Sequence, residues 1–257
     1  MQLMILAGGF GSRISEESHL LPKPLIEIGE KPIIWHIMKH YAHFGVKDFI
    51  ICCGYKGNLI KEYFLNYKTY HSDFSINLRN SSVTIHNSST EDWTVTLVET
   101  GLNSGTAKRI KIASDYLKTE EDFCLAYGDT ISNVDISKLI KCHQDQGKWV
   151  TVTAGNPPGR FGGLDVSGNS IRSFKEKKDN VETWVSAGFF VINRNALTLI
   201  TPEHDMWEQE PMEILASGNQ LNAYFHEGFW QPMDTLRDKK LLESFWESSN
   251  PPWKLWL

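Results

Sequence analysis

The chain has 257 residues, 41% hydrophobic and 12% aromatic, enough for a large α/β domain with a packed core. A formal net charge of −5 argues against nucleic-acid or membrane-surface partners, while leaving room for local basic clusters that hold small anions. No apolar run approaches the roughly 20 residues of a membrane span, and Cys52, Cys53, Cys124 and Cys142 lack the CxxC spacing of a zinc or redox site.

Gln2–Ala7 is apolar, has no positive flank and runs into glycines. It reads as a buried first strand, not a signal peptide, which places the protein in the cytoplasm. Leu6-Ala7-Gly8-Gly9-Phe10-Gly11-Ser12-Arg13 follows directly. Glycines without Cβ let backbone N–H groups wrap an anion, and Arg13 adds a charged fork. Ile14 stands where a dinucleotide fingerprint needs its third glycine, and the Gly-Lys-Ser/Thr of a Walker loop is missing. Alone, the loop reads equally as a tight strand exit. In Pro22-Lys23-Pro24 the prolines fix the backbone on both sides of one ammonium group, which makes a candidate phosphate clamp.

Lys31–Phe44 carries Ile33, Ile34, Ile37, Met38 and Tyr41 on one face, with Pro32 early, and predicts a helix. Asp48–Cys53 reads as a strand and Lys56–Asn66 as a helix, followed by short strands over Phe74–Leu78, Val83–His86 and Thr94–Glu99. Glu99-Thr100-Gly101 and Gly105-Thr106-Ala107-Lys108-Arg109 bring hydroxyls, backbone groups and cations to the start of a helix expected over Ala107–Leu117. An ordinary polar loop is the alternative there. The strand Asp122–Tyr127 leads into Gly128-Asp129, a carboxylate at the strand end where open α/β sheets bind ligands and where oxygen can hold a hard cation.

Asp135–Gln146 predicts a helix ended by Gly147. Strands are expected at Trp149–Ala154, Ser170–Glu176, Val185–Ile192 and Leu221–His226, and helices near Trp207–Ser217 and over Thr235–Glu247. Asp234-Thr235 is also a good helix N-cap signal, so capping competes with metal binding as the task of Asp234. The alternation gives an α/β, Rossmann-like fold: a mixed, mostly parallel sheet flanked by helices. No repeat or linker divides it, so one domain spans 1–257, with a Trp-rich tail over about 245–257.

The loop Leu6–Arg13, Pro22-Lys23-Pro24 and Gly29-Glu30-Lys31-Pro32-Ile33 together resemble the sugar nucleotidylyltransferases, or nucleoside-diphosphate-sugar pyrophosphorylases, and the likeness runs through essentially the whole chain. The stretches 48–57, 157–162 and 229–238 and the ending Pro252-Trp253-Lys254 are similar to the branch that acts on CTP and glucose 1-phosphate. The resemblance implies transfer of a cytidylyl group from CTP to α-D-glucose 1-phosphate, giving CDP-glucose and pyrophosphate with Mg2+ as cofactor. The same reaction with another sugar 1-phosphate, or with UTP or dTTP, stays open, as does a non-catalytic nucleotide-sugar-binding relative.

Carried over residue by residue, the resemblance makes Arg13 and Lys23 catalytic and Asp129 and Asp234 the metal ligands. The nucleotide falls to Leu6, Ala7, Gly8, Gly9, Phe10, Gly11, Ser12, Arg13, Lys23, Thr100, Gly101, Ser104, Arg109 and Gly128. The sugar phosphate falls to Gly162, Glu176, Lys177 and Gly188. Leu21, Ser186 and Thr130 depart from the family's usual lysine, asparagine and glycine at those places. A homo-oligomer is implied too, so that Trp246, Trp253 and Trp256, which could pack on the chain's own core or on another subunit, are expected against the subunit, and a product used in cell-surface polysaccharide such as lipopolysaccharide.

Overall fold

Leu3–Leu6 (β1) is hydrogen-bonded to a parallel strand on each side, as its continuous apolar sequence requires. The computed structural model describes residues 1–118, 121–156, 163–167, 170–175, 184–248 and 250–256. The neighbours of β1 are Asp48–Cys53 (β2), which pairs onward with Thr94–Glu99 (β3), and Asp122–Tyr127 (β4). Val185–Asn193 (β6) lies antiparallel to both β4 and Val150–Gly155 (β5), and β5 runs parallel to Leu221–His226 (β7). The order is β7-β5-β6-β4-β1-β2-β3, a mixed and mostly parallel sheet as expected.

Alternation along the strands sends side chains to two cores. Leu3, Ile5, Ile51, Cys124 and Phe189 face one side, and Met4, Ile50, Leu125 and Phe190 face the other. The helices Ile33–His43 (α1), Gly57–Tyr70 (α2), Ile136–Gln146 (α4) and Leu236–Glu247 (α6) cover the first face through Ile37, Ile60, Leu139 and Leu242. Thr106–Ala113 (α3) and Glu210–Ser217 (α5) cover the second through Ala107, Ile110 and Leu215. None of the described helices is long and apolar enough to cross a membrane.

The element ends differ from the sequence pattern for local reasons. Helix α1 starts at Ile33, not Lys31, because Lys31 and Pro32 pair with Glu27 and Ile28 around Gly29, whose φ is +64°. The helix expected from Trp207 starts at Glu210, where Pro211 sits in the first turn. Helix α3 stops at Ala113 and continues as a 3-10 turn, Ser114–Tyr116. The short strands between α2 and β3 form an exposed hairpin, Ser72–Asn77 with Ser82–Ser88.

The tail reverses one expectation. Trp253 is completely buried in the chain's own core, with Phe229 5.5 Å and Trp246 6.3 Å away between ring centres. Trp256 meets Trp35 edge-on at 5.8 Å. The prolines Pro251 and Pro252 turn the chain back, closed by a bond from Lys254 N–H to the Pro251 carbonyl at 3.0 Å. These rings therefore cover α1 and α6 of their own subunit and do not wait for another.

Candidate active site

The chain leaves β1 toward β2 on one side, while β4 flanks β1 on the other. Ligands bind outside the carboxyl ends of strands at such a reversal of strand order. The glycine loop leaves β1 at this point, and Gly128-Asp129 leaves β4 beside it. Gly128 has to be glycine, since a Cβ there would stand 2.7 Å from the Leu6 carbonyl oxygen. Between the two exits lies a cavity of about 370 Å³, lined by Leu6, Ala7, Gly8, Gly9, Gly11, Ser12, Arg13, Lys23, Ser104, Arg109, Gly128 and Asp129. These twelve are residues expected at the site from the sequence, and Pro24, Gly105, Thr106, Tyr127, Met206 and Glu208 complete the lining.

Two carboxylates and two cations meet at one end of the cavity. Thr130–Ser132 pairs antiparallel with Trp230–Pro232, and the Met233 N–H donates to the Asp129 carbonyl at 2.9 Å. That short ladder sets Asp129 and Asp234 side by side. Lys23 Nζ donates to Asp129 Oδ2 at 2.6 Å and to Asp234 Oδ1 at 2.8 Å, and only 8% of its side chain is exposed. Arg13 Nη1 donates to Asp234 Oδ2 at 2.8 Å. Lys23 opens a 3-10 turn between its prolines, which fixes the base of its stem.

Asp234 is not the cap of α6. Thr235 caps it, accepting from Asp238 N at 3.2 Å, and the Asp238 carboxylate accepts in turn from Thr235 N at 2.9 Å. The carboxylate of Asp234 is thereby left to Lys23 and Arg13. Paired carboxylate oxygens are the donor set of a hard cation, and magnesium commonly takes one or two carboxylates, completing its shell with water and substrate phosphate. No group of three His, Cys, Asp or Glu side chains converges among the described residues, so a cation here would depend on this pair together with substrate and water.

Arg109 and Thr100 do something the sequence did not suggest. The Arg109 guanidinium is buried and donates to the carbonyls of Gly8 at 2.9 Å, Gly101 at 2.8 Å and Leu102 at 3.2 Å, and to Thr100 Oγ1 at 2.7 Å. Thr100 Oγ1 donates in turn to the Cys53 carbonyl at 2.6 Å. Together they strap the glycine loop to the ends of β2 and β3, and Gly8 leaves room for the guanidinium, 2.2 Å from where a Cβ would sit. Burial draws the Arg109 pKa down from its ordinary value. Gly101, with φ +90°, turns its carbonyl toward this strap.

The remaining expected residues divide. Phe10 is half exposed and packs against Tyr55 at 5.3 Å, outside the cavity lining. Gly188, φ +80°, lies where a Cβ would meet Tyr127 Cδ2 at 2.7 Å, so it makes room for a cavity-lining ring. Gly162, Glu176 and Lys177 lie outside the described residues.

The sequence reading missed Met206 and Glu208. Glu208 accepts from Thr106 Oγ1 at 2.6 Å and from the Tyr127 hydroxyl. Burial, with Glu208 next, pushes the Tyr127 pKa well up. Pro211 was the available signal: it puts the helix start after Glu208 and leaves that residue on a loop.

A family model described as nucleotidyl transferase matches residues 2–246. The glucose-1-phosphate cytidylyltransferase of Salmonella typhi is 49% identical over 256 residues, covering 100% of both chains. A protein named probable glucose-1-phosphate cytidylyltransferase from Bacillus subtilis (strain 168) is 38% identical over 257 residues, again with 100% of both chains covered. Among solved structures, UTP-bound UGPase from Acinetobacter baumannii shares the fold with a TM-score of 0.71 at 13% identity, over 98% of this chain and 95% of that one. Matched by the family model over nearly all of its length and by these relatives over all of it, the chain belongs to the nucleotidyl transferase family.

Proposed function

We propose that this protein transfers the cytidylyl group of CTP to α-D-glucose 1-phosphate, releasing pyrophosphate and forming CDP-glucose, with magnesium as the divalent cation. The observation that carries the reading is the meeting of Asp129, Asp234, Lys23 and Arg13 at the foot of the glycine-lined cavity. The two full-length cytidylyltransferase relatives support the choice of base and sugar.

A phosphate oxygen of glucose 1-phosphate attacks the α-phosphorus of CTP in line, and the bond from that phosphorus to the β-phosphate bridge breaks. The attacking group is already an anion and pyrophosphate leaves readily, so positioning and charge neutralisation are the protein's task. Backbone N–H groups of the loop 8–12 cradle the triphosphate, and Arg13, whose side chain is 71% exposed, reaches over it toward the departing pyrophosphate. Lys23 leaves the carboxylates to neutralise the two phosphates as they approach. Asp129 and Asp234 would hold the magnesium, which would withdraw charge from the phosphate oxygens. Arg109 acts behind the site, keeping the loop at its distance from β3.

Asp129→Ala and Lys23→Ala are each expected to fold and to lose turnover by about 10²–10³-fold, the cost of one charge-stabilising group. Pyrophosphate release with glucose 1-phosphate is the assay, run with CTP, UTP and dTTP in parallel. Wild-type turnover in either variant refutes the site, and equal rates with the three nucleotides refute the choice of CTP. A homo-oligomer belongs to the same reading, supported by the exposed Ile76, Leu78 and Val83 of the hairpin, and light scattering on the purified protein tests it.

A further inference from the structure

We propose that the Lys23 ammonium is a built-in occupant of the divalent-cation position, so that the free protein binds the metal weakly and takes it up together with the nucleotide; this rests on the reading of Asp129 and Asp234 as metal ligands. The ammonium bridges the two carboxylates, at 2.6 Å from Asp129 Oδ2 and 2.8 Å from Asp234 Oδ1. Bridging two carboxylate oxygens is also the position a divalent cation takes. The other oxygens are engaged as well. Asp234 Oδ2 accepts from Arg13 at 2.8 Å, and Asp129 Oδ1 accepts from the Thr130 hydroxyl at 3.2 Å. Two negative and two positive side chains sum to zero, so each carboxylate has a cationic partner within the chain.

A divalent cation and an ammonium cannot share that position, because like charges at contact repel strongly in a half-buried site. Lys23 has to withdraw first. Its backbone is held by Pro22 and Pro24, so the movement belongs to the flexible four-carbon stem. The ammonium withdraws easily only when another anion receives it, and the anions that enter this cavity under the proposed function are phosphates. Apparent affinity is the intrinsic affinity divided down by the fraction of protein with its carboxylates free. A carboxylate pair bridged by Lys23 most of the time is therefore a poor metal site until phosphate arrives, and loading the metal becomes tied to loading the nucleotide.

The test is a titration of the full chain with Mn2+ alone, without nucleotide, read from the electron paramagnetic resonance of the unbound ion. Lys23→Met is expected to bind Mn2+ about tenfold more tightly than wild type, as it would if Lys23 blocks the pair about nine-tenths of the time. Lys23→Arg, which keeps a cation there, is expected to stay at the wild-type value. Arg13→Gln, on a side chain that is 71% exposed, is expected to tighten binding by roughly a few fold by releasing one oxygen of Asp234. Asp129→Asn added to Lys23→Met is expected to abolish the gain. If neither Lys23→Met nor Arg13→Gln binds more tightly while Asp129→Asn still removes binding, the occupancy proposal is overturned and the metal assignment survives. If binding persists through Asp129→Asn, the metal assignment itself is wrong.

Discussion

The Asp238 carboxylate accepts from the backbone N–H of Asp234 at 3.1 Å and of Thr235 at 2.9 Å, and its second oxygen accepts from Gln231 Nε2 at 3.2 Å. One buried side chain thus completes the capping box of α6 with Thr235 and fixes the main chain from which Asp234 projects. Asp238→Ala is expected to cost about 1 kcal/mol of stability as a lost cap. If Asp234 holds the cation as proposed, the variant should also raise the magnesium concentration needed for half-maximal rate, because Asp234 loses its anchor. Thermal melting and a metal titration of the rate check the two effects separately. An unchanged metal requirement would reduce Asp238 to a cap.

At this scale the sequence was read unevenly. Asp129 was visible as a strand-end carboxylate, whereas its pairing with Asp234 came only through the family resemblance, since nothing local links positions so far apart. Arg109 lines the cavity, where the sequence reading puts it, but a charged residue in a polar loop announces its charge and not the carbonyls that its guanidinium also holds.

At the scale of elements, the interiors of strands and helices were legible and their ends less so. β2, β3, β4 and β7 have the bounds their apolar runs suggest, and α4 starts and stops at Asp135 and Gly147, which cap it. The turn before α1 was hidden, because a two-residue pairing leaves no periodic trace. Gly29 is the residue that makes the turn possible. It has φ +64°, and a Cβ would stand 2.2 Å from Trp246 Nε1. Gly29→Ala is expected to destabilise by about 2–4 kcal/mol, combining left-handed strain with displacement of the indole. Gly45→Ala, at φ +86° with nothing within 4 Å, isolates the strain alone and should cost about 1 kcal/mol. Urea unfolding of both variants gives the comparison, and equal losses would mean that Trp246 yields freely.

For the molecule as a whole, α1 carries a pH liability into the core. Burial lowers the His36 and His40 imidazoles from 6.5 to about 4. His36 Nε2 lies 2.9 Å from the Ile28 carbonyl and its Nδ1 accepts from the Trp253 indole Nε1–H at 3.4 Å, while His40 Nε2 lies 2.9 Å from the Val134 carbonyl. In both, the folded pKa is below the unfolded one. Between about pH 6.5 and 4 the unfolded chain therefore binds protons that the folded chain refuses. Stability is full above that window and declines as pH falls through it, by on the order of 3 kcal/mol per histidine. Melting temperatures taken from pH 7.5 to 4.5 should be flat at first and then drop steadily below about 6.5. A flat profile down to pH 5 would contradict the neutral, buried assignment.

The ladder between Thr130–Ser132 and Trp230–Pro232 has a consequence for how the protein comes to life during synthesis. A nascent chain that has emerged as far as β7 already possesses the whole sheet, the glycine loop and Asp129, yet it lacks the strand that delivers Asp234 and the aromatic segment that seals Phe229 beneath Trp253. The two carboxylates are thus brought side by side only after this late ladder and the Met233 N–H to Asp129 carbonyl bond have formed, and a chain stopped short of position 230 has Asp129 without its neighbour and a sheet face without Met233, Leu242 and Trp253.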